Sequence, residues 1–135
     1  MNTVNNISFK EDRFMLELWL VHPLLFYAFL DVSNWANEKG LPVRVTNVCN
    51  KVPKESKTDS HPSGRAVDLS VVHWPDRFIR MASYMFNTKY EDIAAISNSD
   101  GKPRFFVYHK TENGEWHIHL QINAKYSRVI EWPKK

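Results

Sequence analysis

The fold turns on one stretch, Trp116-His117-Ile118-His119-Leu120-Gln121-Ile122, in which polar and apolar residues alternate without a break. Successive side chains of a β-strand point to opposite faces. His117 and His119 therefore share one face with Glu115 just ahead of them, while Trp116, Ile118 and Leu120 take the other. Two imidazoles and a carboxylate on a common face are costly unless water or a ligand reaches them. The strand thus has a core side and a side open to a cleft. Working outward, residues 104–109 and 93–97 read as further strands, and the turn-rich 110–114 joins 104–109 to 116–122 as a hairpin. Residues 65–72 and 42–48 (Pro-Val-Arg-Val-Thr-Asn-Val) also have strand character. Helical spacing marks two segments. One follows His22-Pro23 through Leu24, Tyr27, Ala28, Val32, Trp35 and Ala36 to a stop at Gly40; the other is 75–87, with Phe78, Ile79, Ala82, Met85 and Phe86 in its apolar stripe. Trp19, Phe26, Phe29, Trp35, Phe78 and Phe86 are expected in the core. Helices first and neighbouring strands later predict an α+β fold: one domain over 1–135, with a central, largely antiparallel sheet and helices packed on it.

Composition bounds the function. The 135 residues are 43% hydrophobic and 24% charged, which excludes collagen-like, low-complexity and wholly disordered classes. The lone Cys49 cannot form an internal disulfide or a multi-cysteine zinc knuckle, so any metal must rest on histidines and carboxylates. A net charge of +3 suits a polyanionic partner without demanding one. The apolar run 18–30 is uncharged for only thirteen residues and contains Pro23, too short to span a bilayer, so no membrane insertion is expected. The Asn-rich start lacks a basic n-region and a small-residue cleavage site, so synthesis in the cytoplasm without an export signal is expected.

A second segment complements the histidine strand: Ser60-His61-Pro62-Ser63-Gly64-Arg65-Ala66-Val67-Asp68, at the end of a long aperiodic loop, 50–64. His61 and Asp68 can converge across the turn that Gly64 permits. With one of His117 or His119 they would make the three-ligand set of His and carboxylate that hydrolytic zinc sites use, leaving one position for water.

His61-x-x-Gly64-x-Ala66-x-Asp68 followed by His117-x-His119 resembles the superfamily of lysostaphin-type peptidases, zinc D-alanyl-D-alanine peptidases and the hedgehog signalling domain. The resemblance is nearest to the zinc D-alanyl-D-alanine carboxypeptidase and L-alanyl-D-glutamate endopeptidase branch. It covers roughly 23–122, and the family's serine position, two before the histidine, is Asp59 here. It implies a hedgehog-like fold with zinc held by His61, Asp68 and His119. His117 would lie beside the reacting carbonyl, and Glu115 would be the general base, with Glu112 and His109 in reserve. The branch's arginine after the first strand is absent from Thr46-Asn47-Val48-Cys49-Asn50, which leaves Arg44 or Arg65 as candidate partners for a substrate carboxylate. The implied activity is hydrolysis of amide bonds in peptidoglycan stem or cross-link peptides, by a monomer of the phage endolysin kind that reaches the cell wall after release. Nucleic acid is not an expected partner.

Two other classes compete. A His-hydrophobic-His nuclease fits His117-Ile118-His119, but it wants a helical tyrosine with a lysine three residues on, a pattern that Tyr84, Tyr90 and Tyr126 do not offer, and it leaves His61 and Asp68 unexplained. A catalytically silent zinc module of the hedgehog kind is the other.

Overall fold

A computed structural model describes residues 7–48, 64–97, 101–110 and 114–126. His61, Glu112, Cys49 and most of the polar loop lie outside these residues. The described chain runs β1 (Ile7–Phe9), α1 (Asp12–Glu17), α2 (Pro23–Glu38), β2 (Val43–Asn47), β3 (Ala66–Ser70), α3 (Asp76–Lys89), β4 (Ala95–Ile96), β5 (Pro103–Arg104), β6 (Phe106–Lys110) and β7 (Trp116–Gln121), with short 3-10 turns between. Five strands form the main sheet in the order β1-β2-β3-β7-β6. Every pairing in it is antiparallel except β1 with β2. The expectation of an α+β chain with a mostly antiparallel sheet holds.

Why the helices sit where they do is visible locally. Proline at the first helical position loses no hydrogen bond, and the His22 ring Nδ1 accepts from Leu24 N at 3.1 Å, so α2 starts at Pro23. Gly40, at φ 74°, and Leu41, whose N–H returns to Ala36 O at 2.8 Å, end it. The helix buries Leu25, Ala28, Phe29, Val32, Ser33 and Ala36. Leu24 and Tyr27, assigned to that stripe from their spacing, are instead exposed at its border. Trp19, expected in the core, departs further: it is 73% exposed, and its ring meets that of Phe26 at a tilt of 32° with centroids 5.6 Å apart. Helix α3 buries Ile79, Ala82 and Phe86, and Trp35 ties it to α2 through edge contacts with Phe78 and Phe86. Against these helices the sheet sets Val43, Val45, Val67, Leu69, Phe106, Ile118 and Leu120, all at most 1% exposed. Each such side chain contributes about 1.5–3 kcal/mol by leaving water.

Three elements depart from the sequence expectation. The segment 7–17 forms a parallel edge strand and a short helix that no strong periodicity announced. The strand expected at 93–97 shrinks to Ala95–Ile96, which pairs with Pro103–Arg104 in a separate two-stranded sheet. The strand expected at 104–109 breaks at Phe105, because Asn87 intervenes. Its Oδ1 accepts from the Phe105 and Phe106 amides, both at 2.8 Å, and its Nδ2 donates to Phe106 O at 3.0 Å. One side chain of α3 thus satisfies backbone groups that a sheet partner would otherwise take.

Asp31 clasps the two long helices together: Tyr90 OH donates to its Oδ2 at 2.5 Å and Lys89 Nζ lies at 2.5 Å from the same oxygen. Burial, then the bond to Asp31, raises the Tyr90 pKa above its ordinary 10.0, and the same carboxylate raises that of Lys89. Both folded values stand above the unfolded ones, so this stabilisation is complete below about pH 10 and is lost as pH rises further. Denaturant titrations above pH 10 are expected to show the parent losing stability more steeply than Tyr90→Phe. Parallel losses in the two proteins would contradict the clasp.

Candidate metal centre

The register of the three central strands builds the site. Asp68 stands opposite His119, which stands opposite Val107; one row on, Ser70 stands opposite His117, which stands opposite His109. All six share the face away from the helices, because their sequence neighbours Val67, Leu69, Phe106, Ile118 and Leu120 fill the core. The expected separation of a core face from a polar face is present from His117 onward, whereas Trp116, expected on the core side, is 49% exposed at the strand's start and is part of the cleft lining.

Asp68 is only 9% exposed, and its Oδ1 lies 2.7 Å from His119 Nδ1 and 3.6 Å from His117 Nε2. His119 is also held on its other side. Gln121 Nε2 donates to Arg104 O at 3.0 Å, which fixes the amide with Oε1 toward the ring, and this Oε1 sits 3.1 Å from His119 Nε2. An amide oxygen there requires Nε2–H as donor. With Nε2 as a donor, Nδ1 faces the carboxylate either as a second N–H donating to Oδ1 in an imidazolium–carboxylate pair or as the lone pair of a neutral ring. Two acceptors at that distance repel unless a proton or a cation lies between them. The arrangement matches the second-shell support of metal-binding histidines, in which one nitrogen is held by an acceptor and the other faces the metal.

More donors surround the pair. One ring nitrogen from each of His109, His117 and His119 lies within 4.8 Å of the others, close enough for a metal ion. The His109 and His117 rings meet edge to face at 4.2 Å between centroids. This nitrogen-and-carboxylate set, without thiolate, fits a divalent first-row cation. His109 entered the sequence reading only as a reserve base. Its place opposite His117 follows from the hairpin register.

A cleft of about 620 Å³ adjoins the cluster, and Asp68, Ser70, Asn47, Glu115, His117 and Lys10 are among its lining. Glu115 and His117 both line this cleft. The candidate carboxylate partners do not. Arg65 is buried and donates Nη1 to Ile122 O at 3.0 Å, closing the end of β3 on the chain beyond β7, while Arg44 is exposed on β2 outside the cleft lining. The lining cation among the described residues is Lys10, which follows directly on β1 and is fixed by its own N–H to Val45 O at 2.9 Å. No described helix is long and apolar enough to cross a membrane. Comparison with family models, with curated proteins and with solved structures finds no match to this chain.

If Gln121 fixes the metal-facing nitrogen, removing its acceptor must weaken the site without touching a ligand. Gln121→Leu is expected to lower zinc affinity about 10–100-fold in a calorimetric titration, and Gln121→Glu, which keeps an acceptor, to recover most of it. Unchanged affinity in the leucine variant would contradict the tautomer argument.

Proposed function

We propose that the chain is a zinc-dependent metallopeptidase that hydrolyses amide bonds in the stem or cross-link peptides of peptidoglycan, on a hedgehog-like fold of the D-alanyl-D-alanine peptidase kind. The observation that carries this reading is the 2.7 Å contact between Asp68 Oδ1 and His119 Nδ1, at the edge of a cleft that also holds Glu115 and His117. Asp68, His119 and His61 would hold the zinc. Bound zinc polarises a carbonyl and lowers the pKa of a water from 15.7 to about 7.

The chain's own residues do the rest. Glu115 takes a proton from the attacking water and returns it to the leaving amine, so that one amide and one water give a carboxylate and an ammonium. His117 donates a hydrogen bond to the oxygen that gains charge in the transition state, where a preorganised donor is worth a few kcal/mol. His109, in contact with His117, limits how that ring can turn. Lys10 attracts a carboxylate of the peptide at the other side of the cleft. A basic chain that reaches the cell wall after release would be drawn to its anionic surface.

The nuclease alternative needs a tyrosine nucleophile near the paired histidines, and among the described residues no tyrosine lines the cleft. Tyr90 is bound to Asp31, and Tyr84 and Tyr108 line a groove elsewhere. A silent zinc module gives no role to Glu115 on the cleft wall.

Incubation with purified peptidoglycan fragments, with and without a chelator, should yield peptide products by mass only when metal is present. His117→Ala should retain stoichiometric zinc while kcat falls about 10²–10³-fold. Zinc bound with no bond cleaved would favour the silent module, and loss of zinc from His117→Ala would make His117 a ligand.

A further inference from the structure

A second groove, of about 710 Å³, has no part in the chemistry above. It runs between α3 and the β5–β6 segment, and Arg80, Tyr84, Glu91, Lys102, Arg104 and Tyr108 are among its lining. Its origin is the break at Phe105: Asn87 holds the chain there, β5 leaves the main sheet to pair with β4, and a trough opens along the flank of α3. Tyr108 points to the helix side of β6, whereas Val107 and His109 point to the histidine side. One strand therefore separates the groove from the metal centre.

Its lining has a definite chemical character. Three cations and one acid, Glu91, line it; Tyr84 presents its ring to solvent at 77% exposure, and Tyr108, with Trp116 against its ring at 4.7 Å between centroids, is 37% exposed. Arg80 and Tyr84 stand four apart on α3 and so share one face of the helix. Arg80 also pairs with Asp76 at 2.8 Å, but this bond lies between exposed side chains and competes weakly with a ligand. Exposed rings beside cations match a chain of flat-faced units that carries spaced negative charge. A nucleic acid, with one phosphate per nucleotide, calls for a denser row of cations than three opposed by one acid. An anionic glycan, with ring faces to stack and acidic groups at wider intervals, suits this sparser pattern.

The geometry points to a second binding site, in which Tyr84 and Tyr108 stack on sugar rings and Arg80, Lys102 and Arg104 pair with the carboxylates or phosphates of an anionic polysaccharide. The binding stands without the hydrolase reading. That it would hold the enzyme on a cell wall while the histidine cleft works on peptides rests on that reading.

Calorimetric titration of the full chain with three soluble probes tests it: oligogalacturonate as the anionic glycan, a chitooligosaccharide as the neutral one, and oligothymidylate as the nucleic acid. Oligogalacturonate is expected to bind best, about tenfold or more above either other probe, and to weaken with added salt. The double variant Arg80→Glu with Lys102→Glu should lower its affinity by a further factor of about ten, Tyr84→Ala should lower it severalfold, and His119→Ala should leave it unchanged. Arg80 and Tyr84 are surface residues, so their variants should fold like the parent. Equal binding of the chitooligosaccharide, tighter binding of oligothymidylate, full retention in the double variant, or no binding of oligogalacturonate would each overturn the proposal. Loss of peptide hydrolysis with glycan binding intact would fault only the metallopeptidase reading.

Discussion

A carboxylate oxygen and an imidazole nitrogen brought together across adjacent strands are the constraint on which this site depends. Asp68 Oδ1 and His119 Nδ1 stand 2.7 Å apart because antiparallel pairing sets their residues directly opposite, and the ring cannot turn away because Gln121 holds its other nitrogen. Gln121 in turn is anchored on the Arg104 carbonyl, just before the chain enters β6. A backbone carbonyl two steps removed thereby decides which imidazole nitrogen is offered. Two zinc ligands at tetrahedral spacing stand roughly 3.3 Å apart, given zinc–ligand bonds near 2.0–2.1 Å. The pair would need to part by only some tenths of an ångström to admit an ion.

The same strands serve opposite demands on their two faces. Ile118 and Leu120 are completely buried, so β7 cannot slip by one residue without exposing them and burying the imidazoles. Hydrophobic burial thus keeps the ligands in register, and the stability of the sheet is what preorganises the polar cluster. The cost of grouping Asp68, His109, His117 and His119 is carried by a core that also includes Phe14, Phe29, Phe105 and Phe106.

Much of this was legible in the sequence, for reasons that differ by element. Strict alternation in β7 and a proline-started helix at Pro23 are local signals that tertiary contacts reinforce, so the histidine face and α2 follow from residue spacing. Asp68, His117 and Glu115 were named from the same patterns. The place of His109 was not, because the connection between β6 and β7 does not declare its register, and a slip of one residue would have put His109 on the core side. Lys10 and β1 escaped notice since three residues pairing in parallel with a distant strand leave almost no periodic trace. The break at Phe105 was equally hidden: it depends on the Asn87 side chain, eighteen residues away, satisfying two amides. Trp19 was misplaced because helical spacing alone cannot distinguish a core face from its exposed border.

The most direct measurement is anomalous X-ray scattering from crystals of the protein grown with zinc. The account predicts one ion between Asp68 and His119, bonded to His119 through Nδ1, with Gln121 still on Nε2. An ion held by Nε2 of His119, an ion on His109 and His117 with Asp68 uninvolved, or no ordered ion in this face of the sheet would contradict it.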